Sequence, residues 1–136
     1  MLGVSSYSHE YVKQCQTNVD TTVKAYKKVA AAAKRDASIA RFEPLFFHHM
    51  VLTLDEYFVH RLRGKEGKDG NPLNEVRIIA SSLMVDDGVF TVEKSIKYAP
   101  DTSVLGYAPG DRIALDEAQF TKLAKAYFEE MVTKFT

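Results

Sequence analysis

The chain has no tryptophan, a single cysteine, four prolines in 136 residues and no excess of either charge. Each shortage excludes something. One cysteine, Cys15, rules out an internal disulfide and any site built from several thiolates of one chain. Eighteen basic residues balance eighteen acidic ones, so composition gives no reason to expect nucleic acid as a partner, because polyanion binders carry a basic excess or a basic face. No apolar run reaches the roughly 18–20 residues that cross a bilayer, and no membrane partner is expected. The first residues have neither a basic segment nor a long apolar one, so no signal peptide is read and a cytoplasmic location is the default expectation.

What remains is ordinary for a globular protein, with 46% hydrophobic and 26% charged residues. The length suits one domain, residues 1–136, around a single core. Ser8 reads as a helix N-cap, with Glu10 in the first turn where an anion is favoured. Val12, Cys15, Val19, Val23, Tyr26, Ala30 and Ala33 recur at helical spacing and predict a helix over about 9–34. Cys15 reads as a small buried hydrophobe rather than a reactive thiol. Asp36 or Ser38 caps a short helix at 37–42. Pro44 is expected to kink or break it, because proline lacks the backbone donor and disfavours helix just before it.

A central helix is expected at about 44–63. Phe46, Phe47, Met50, Val51, Leu54, Tyr57, Phe58 and Leu62 form its broad apolar arc. Leu45, Leu52 and Val59 form a second apolar line, and His49, Thr53, Glu56, His60 and Arg63 a polar stripe. Gly64, Gly67 and Gly70 mark a loop, after which Asn71-Pro72 starts a helix at 72–85. Gly88 ends it, although Asp86 and Asp87 sit at the wrong end for its dipole. Short β-branched and aromatic runs over 89–115 predict a small antiparallel β element. Asp116 and Gln119 have capping-box spacing and open a last helix at 117–134. The fold expected is mainly α, a compact bundle of about four main helices with that β appendage; the alternative is an α+β packing.

Standard catalytic and nucleotide-binding signatures are absent: no P-loop, no G-x-G-x-x-G, no H-E-x-x-H and no G-x-S-x-G. Three constellations are left. Arg61, Arg63, Lys65, Lys68 and Arg77 crowd a loop that runs into a helix N-terminus, a place that attracts anions. On this reading His60, Arg63, Lys68, Asn71, Asn74 and Arg77 bind a small anionic molecule, against the plainer reading of a solvated charged loop with local ion pairs. The apolar line Leu45, Leu52, Val59 suggests instead a homodimer contact without ligand. Glu56 and His60, one turn apart, offer two ligands for a metal-dependent enzyme, with His60 as general base and Glu75 as a second carboxylate. His49 lies about 16 Å along the helix axis from His60 and cannot join them on one ion. No cofactor is indicated, no catalytic residue is assigned, and enzyme activity is left open.

Overall fold

The computed structural model describes residues 3–136. Five α-helices follow one another: α1 (His9–Ala32), α2 (Ala37–Glu56), α3 (Arg63–Glu66), α4 (Pro72–Val85) and α5 (Glu117–Phe135), with a 3₁₀ turn at Pro100–Thr102. The molecule is mainly α, a compact helical bundle.

Four helix starts are fixed locally by side-chain caps. Ser8 accepts from the Tyr11 amide, Asp36 from Ser38 and Ile39, Asn71 from Leu73 and Asn74, and Asp116 from Gln119. Each satisfies backbone donors that a helix N-terminus leaves free. α1 and α5 lie antiparallel: the Tyr7 amide meets the Phe135 carbonyl at 2.7 Å, and Lys27 pairs with Glu117 at 2.9 Å. Val12, Cys15, Val19, Val23 and Tyr26 face inward from α1, and Phe120, Leu123, Tyr127, Met131 and Phe135 from α5. Phe47, Val51 and Leu54 of α2 and Leu73, Val76, Ile78 and Ile79 of α4 complete the core.

Three expectations need correction. α2 is one continuous helix from Ala37 to Glu56 with Pro44 inside it, so the chain does not break there. Proline removes the donor that Ala40 would use, but Ala40 is exposed and both residues line an open surface cleft. Water can reach the freed carbonyl there, and burial of Phe47, Val51 and Leu54 on the far side holds the helix together. α2 also stops at Glu56 rather than at about 63. Beyond it the chain turns, and side-chain donors take the last carbonyls: the Tyr11 hydroxyl reaches Tyr57 O at 2.7 Å, and the Arg61 guanidinium reaches Phe58 O at 3.1 Å.

Finally, the 89–115 segment forms no strand among the described residues. It contains one antiparallel bridge, Val89 to Arg112, and a second bridge joins Asp69 to Lys97. Around the first bridge Phe90 N, Gly110 N and Ile113 N donate to the backbone carbonyls of Asp111, Phe90 and Gly88, but other amides of the segment bond to side chains. Thr91 N donates to Ser82 Oγ, Val104 N and Leu105 N to the Glu75 carboxylate at 2.7 and 2.9 Å, Gly106 N to Ser103 Oγ, and Ala108 N to Asp111 Oδ2. Backbone groups satisfied in this way have no need of a ladder. The second residue of the acidic pair after α4 is explained here too. Asp87 has φ 54° and Gly88 φ 77°. Aspartate tolerates that left-handed turn better than most residues, so turn chemistry outweighs the dipole.

The entrance to α5 is held by α2. Glu43 accepts from the Glu117 amide, the Tyr26 hydroxyl and Arg35, and the Leu115 amide donates to His48 Nε2 at 3.4 Å. Burial works to raise the Glu43 pKa, but those donors outweigh it and hold the carboxyl below its usual range. Burial, with His49 adding to it, pushes the His48 imidazole below its ordinary value.

Two outcomes follow from this arrangement. Pro44→Ala restores the donor without opening a buried cavity, and chemical denaturation is expected to show a gain of about 1–3 kcal/mol. As pH falls through the ordinary histidine range, the unfolded chain takes up a proton at position 48 while the folded chain resists it, so stability falls. His48→Gln should flatten that part of the stability–pH curve measured by thermal unfolding.

Candidate functional site

Two regions bear on function: the junction between α2 and α4, and the outer face of α2. The junction is organised around a residue pair absent from the expected ligand set. The side chains of Arg61 and Glu66 are both 0% exposed and meet at 3.2 Å. Arg61 also donates to Tyr127 Oη, Phe58 O, Leu73 O and Asp55 Oδ1. Burial works against its charge; the Tyr127 hydroxyl and the Glu66 and Asp55 carboxylates outweigh that, and the guanidinium titrates above its ordinary value. Burial pushes the Tyr127 hydroxyl far up, so it remains a neutral donor and acceptor.

Arg77 grips the same carboxylate from α4 with two parallel bonds, Nε to Oε1 at 3.1 Å and Nη2 to Oε2 at 2.8 Å. This fork geometry is the one by which arginine recognises carboxylate or phosphate. Arg63 approaches from outside at 3.5 Å and also faces Glu93 at 4.0 Å. Asn71 caps α4 and donates to Glu66 O, while Asn74 donates to Gly67 O and Asp69 O. Lys134 of α5 reaches Glu66 O at 2.9 Å. Of the six residues expected to bind an anion, the fold therefore gathers Arg63, Asn71, Asn74 and Arg77 around Glu66 and its loop. His60 and Lys68 stand outside, exposed, with no side-chain hydrogen bond or ion pair among the described residues. Arg61 Nε and Asn74 Oδ1 are buried side-chain atoms without a partner.

Glu66 sits in the sequence among five basic residues. Its role as their shared counter-ion depends on α3, a four-residue helix that no periodicity announces. Nothing local marks Arg61 as buried either.

The outer face of α2 has a different character. Of the expected polar stripe, His49, Thr53 and Glu56 on α2 and His60 beyond its end are exposed, while Arg63 opens α3 and turns to Glu66. Leu45 is 60% exposed, Leu52 is half-buried and Val59 is 36% exposed. Beside them the end of α4 presents Met84 at 67% and Val85 at 74% exposure. Tyr11, Leu52, Thr53, Glu56, Tyr57 and Met84 surround a shallow hollow of about 540 Å³. A neighbouring hollow shares Tyr11, Glu56 and Tyr57 and extends to Val59 and His60. Among the described residues no group of three or more histidine, cysteine, aspartate or glutamate side chains is placed to hold a metal ion, and no helix is long and apolar enough to cross a membrane.

Comparison with known proteins finds no matching family model, no matching curated protein and no matching solved structure.

The junction makes a direct prediction. Glu66→Gln keeps the shape but removes the charge that neutralises two arginines. Because it leaves Arg61 buried with only Asp55 opposite, urea denaturation should show a loss of about 3–5 kcal/mol. A loss below about 1 kcal/mol would mean that the pair does not organise the junction.

Proposed function

We propose that this chain is an association module that pairs with a second copy of itself through the outer face of α2. The observation that carries the reading is a hollow walled by Leu52, Tyr57 and the 67% exposed Met84, with Leu45 further along α2 and Val85 next to Met84 also exposed. Single exposed apolar residues are common on protein surfaces, but a run of large ones beside an apolar hollow is what contact surfaces present.

Two properties favour a second copy as the occupant. The chain carries formal net charge +0, so two copies approach without net repulsion. The rim also holds a carboxylate and an imidazole, Glu56 at the end of α2 and His60 in the turn that follows it. A two-fold axis turns such a pair against itself with opposite ends matched. In that pairing Met84 of one copy enters the hollow beside Leu52 and Tyr57 of the other. An interface of ordinary size takes about 800 Å² from each partner, roughly a tenth of the 7873 Å² surface.

The geometry favours this over a small anion at residues 60–77. There Arg77 and Arg63 already face Glu66, and an incoming anion would compete with a buried carboxylate held by two parallel bonds. The metal reading has only the exposed Glu56 and His60 to build on.

Sedimentation equilibrium tests the proposal. The native chain should dimerise, and Leu52→Glu or Met84→Glu should weaken the dimer roughly 10- to 100-fold with helical content unchanged. A native chain that stays monomeric at high concentration would overturn it.

A further inference from the structure

The C-terminal end of α2 is a negative end that no basic residue of the same helix answers. A helix gathers partial negative charge on its last carbonyls, and lysine or arginine in the last turn is the usual complement. The last turn of α2 holds neither, and the helix ends on Glu56. Arg61 takes Phe58 O, but its own charge is matched by Glu66 and Asp55. Two adjoining hollows, of about 540 and 460 Å³, open at this end, and both are lined by Tyr11, Glu56 and Tyr57. Tyr7 also lines the second. The chain has eighteen lysine and arginine residues, yet none of them lines either hollow.

Three aromatic rings and a carboxylate at a helix C-terminus make a surface for a cation. The face of a tyrosine ring is negative and attracts a cation within about 6 Å of its centre. Tyr7 and Tyr11 lie with centroids 5.9 Å apart and planes at 25°, and both stand at a steep angle to buried Phe58, at 4.9 and 5.5 Å. The Tyr11 hydroxyl donates to Tyr57 O at 2.7 Å. Burial pushes the Tyr7 and Tyr11 hydroxyls above their ordinary value, Tyr11 to about 12, so these rings stay neutral.

We infer that the hollow bounded by Tyr7, Tyr11, Tyr57 and Glu56 binds a quaternary ammonium group, the trimethylammonium of choline or of a methylated lysine. A primary ammonium carries three donors and needs an acceptor for each. The hollow offers one carboxylate, and the Tyr11 hydroxyl is already engaged. A trimethylammonium group has no donor to satisfy, and its methyl groups pack on the rings and on Val4 and Val59, which line the same hollow. Glu56 supplies the counter-charge, and His60 stands on the rim. The site goes beyond the association reading and does not rest on it, since it needs one chain only.

Calorimetric titration of the native chain with choline tests the site, at a pH of about 8 where an ordinary imidazole is neutral. Choline should bind saturably, and its uncharged analogue, with carbon in place of nitrogen, should bind roughly tenfold more weakly. Tyr57→Leu should weaken choline roughly 5- to 30-fold and Glu56→Gln by less, with helical content unchanged by circular dichroism, whereas Tyr57→Phe keeps the ring and should bind as the native chain does. A peptide carrying trimethyllysine is titrated alongside: tighter binding than choline assigns the site to a modified side chain, weaker binding to a free small molecule. The inference is overturned if neither probe binds saturably, if the uncharged analogue binds as tightly as choline, or if a fully helical Tyr57→Leu binds as the native chain does. Sedimentation of the same samples keeps the two readings apart. A monomer that binds choline retains this site and removes the association, and a dimer that binds neither probe does the reverse.

Discussion

A buried arginine cannot be left without a counter-charge, and this requirement shapes the middle of the molecule. Arg61 lies in the interior between the end of α2, the start of α4 and the body of α5. Removing an ion from water is expensive unless its partner is well placed and its remaining donors are satisfied. The partner, Glu66, comes from α3, and α3 in turn is held by Asn71, Arg77 and Lys134. The glycine-rich loop is thus folded inward over a charge pair. The network fixes where α2 ends, where α4 begins and how both meet α5.

This interior use of charge shifts attention to the outside of α2. The surface that is left unsatisfied is apolar, and water is a poor partner for it. Burial and exposure fall on opposite sides of the same helix: Phe47, Val51 and Leu54 are buried, whereas Leu45 is exposed and Leu52 half-buried.

Much of the architecture was legible in the residues. The caps at Ser8, Asp36, Asn71 and Asp116 were readable because capping is local chemistry, needing only a short polar side chain and the next turn. The apolar spacing of α1 and α5 was readable because each buries one continuous stripe. The end of α2 was not. Tyr57, Phe58 and Leu62 continue the apolar pattern past Glu56, since a buried turn needs apolar side chains as much as a buried helix does. Residues 89–115 carry β-type composition, but the side-chain acceptors that replace a ladder, Glu75 and Ser82, lie on a different element. The basic cluster at 60–77 was visible in the sequence; that Glu66 stands at its centre was not, because charge pairing at this depth is decided by tertiary packing.

The long connection between α4 and α5 is held by buried Phe90, Ile96, Ile113 and Leu115 and, in its middle, by one carboxylate of α4. Two of its consecutive amides, at Val104 and Leu105, close on the one carboxylate of Glu75, and burial raises the pKa of that group against the pull of the amides. Any local opening that breaks these two bonds releases both amides at once. Amide exchange at Val104 and Leu105 would then report the release of this stretch from Glu75.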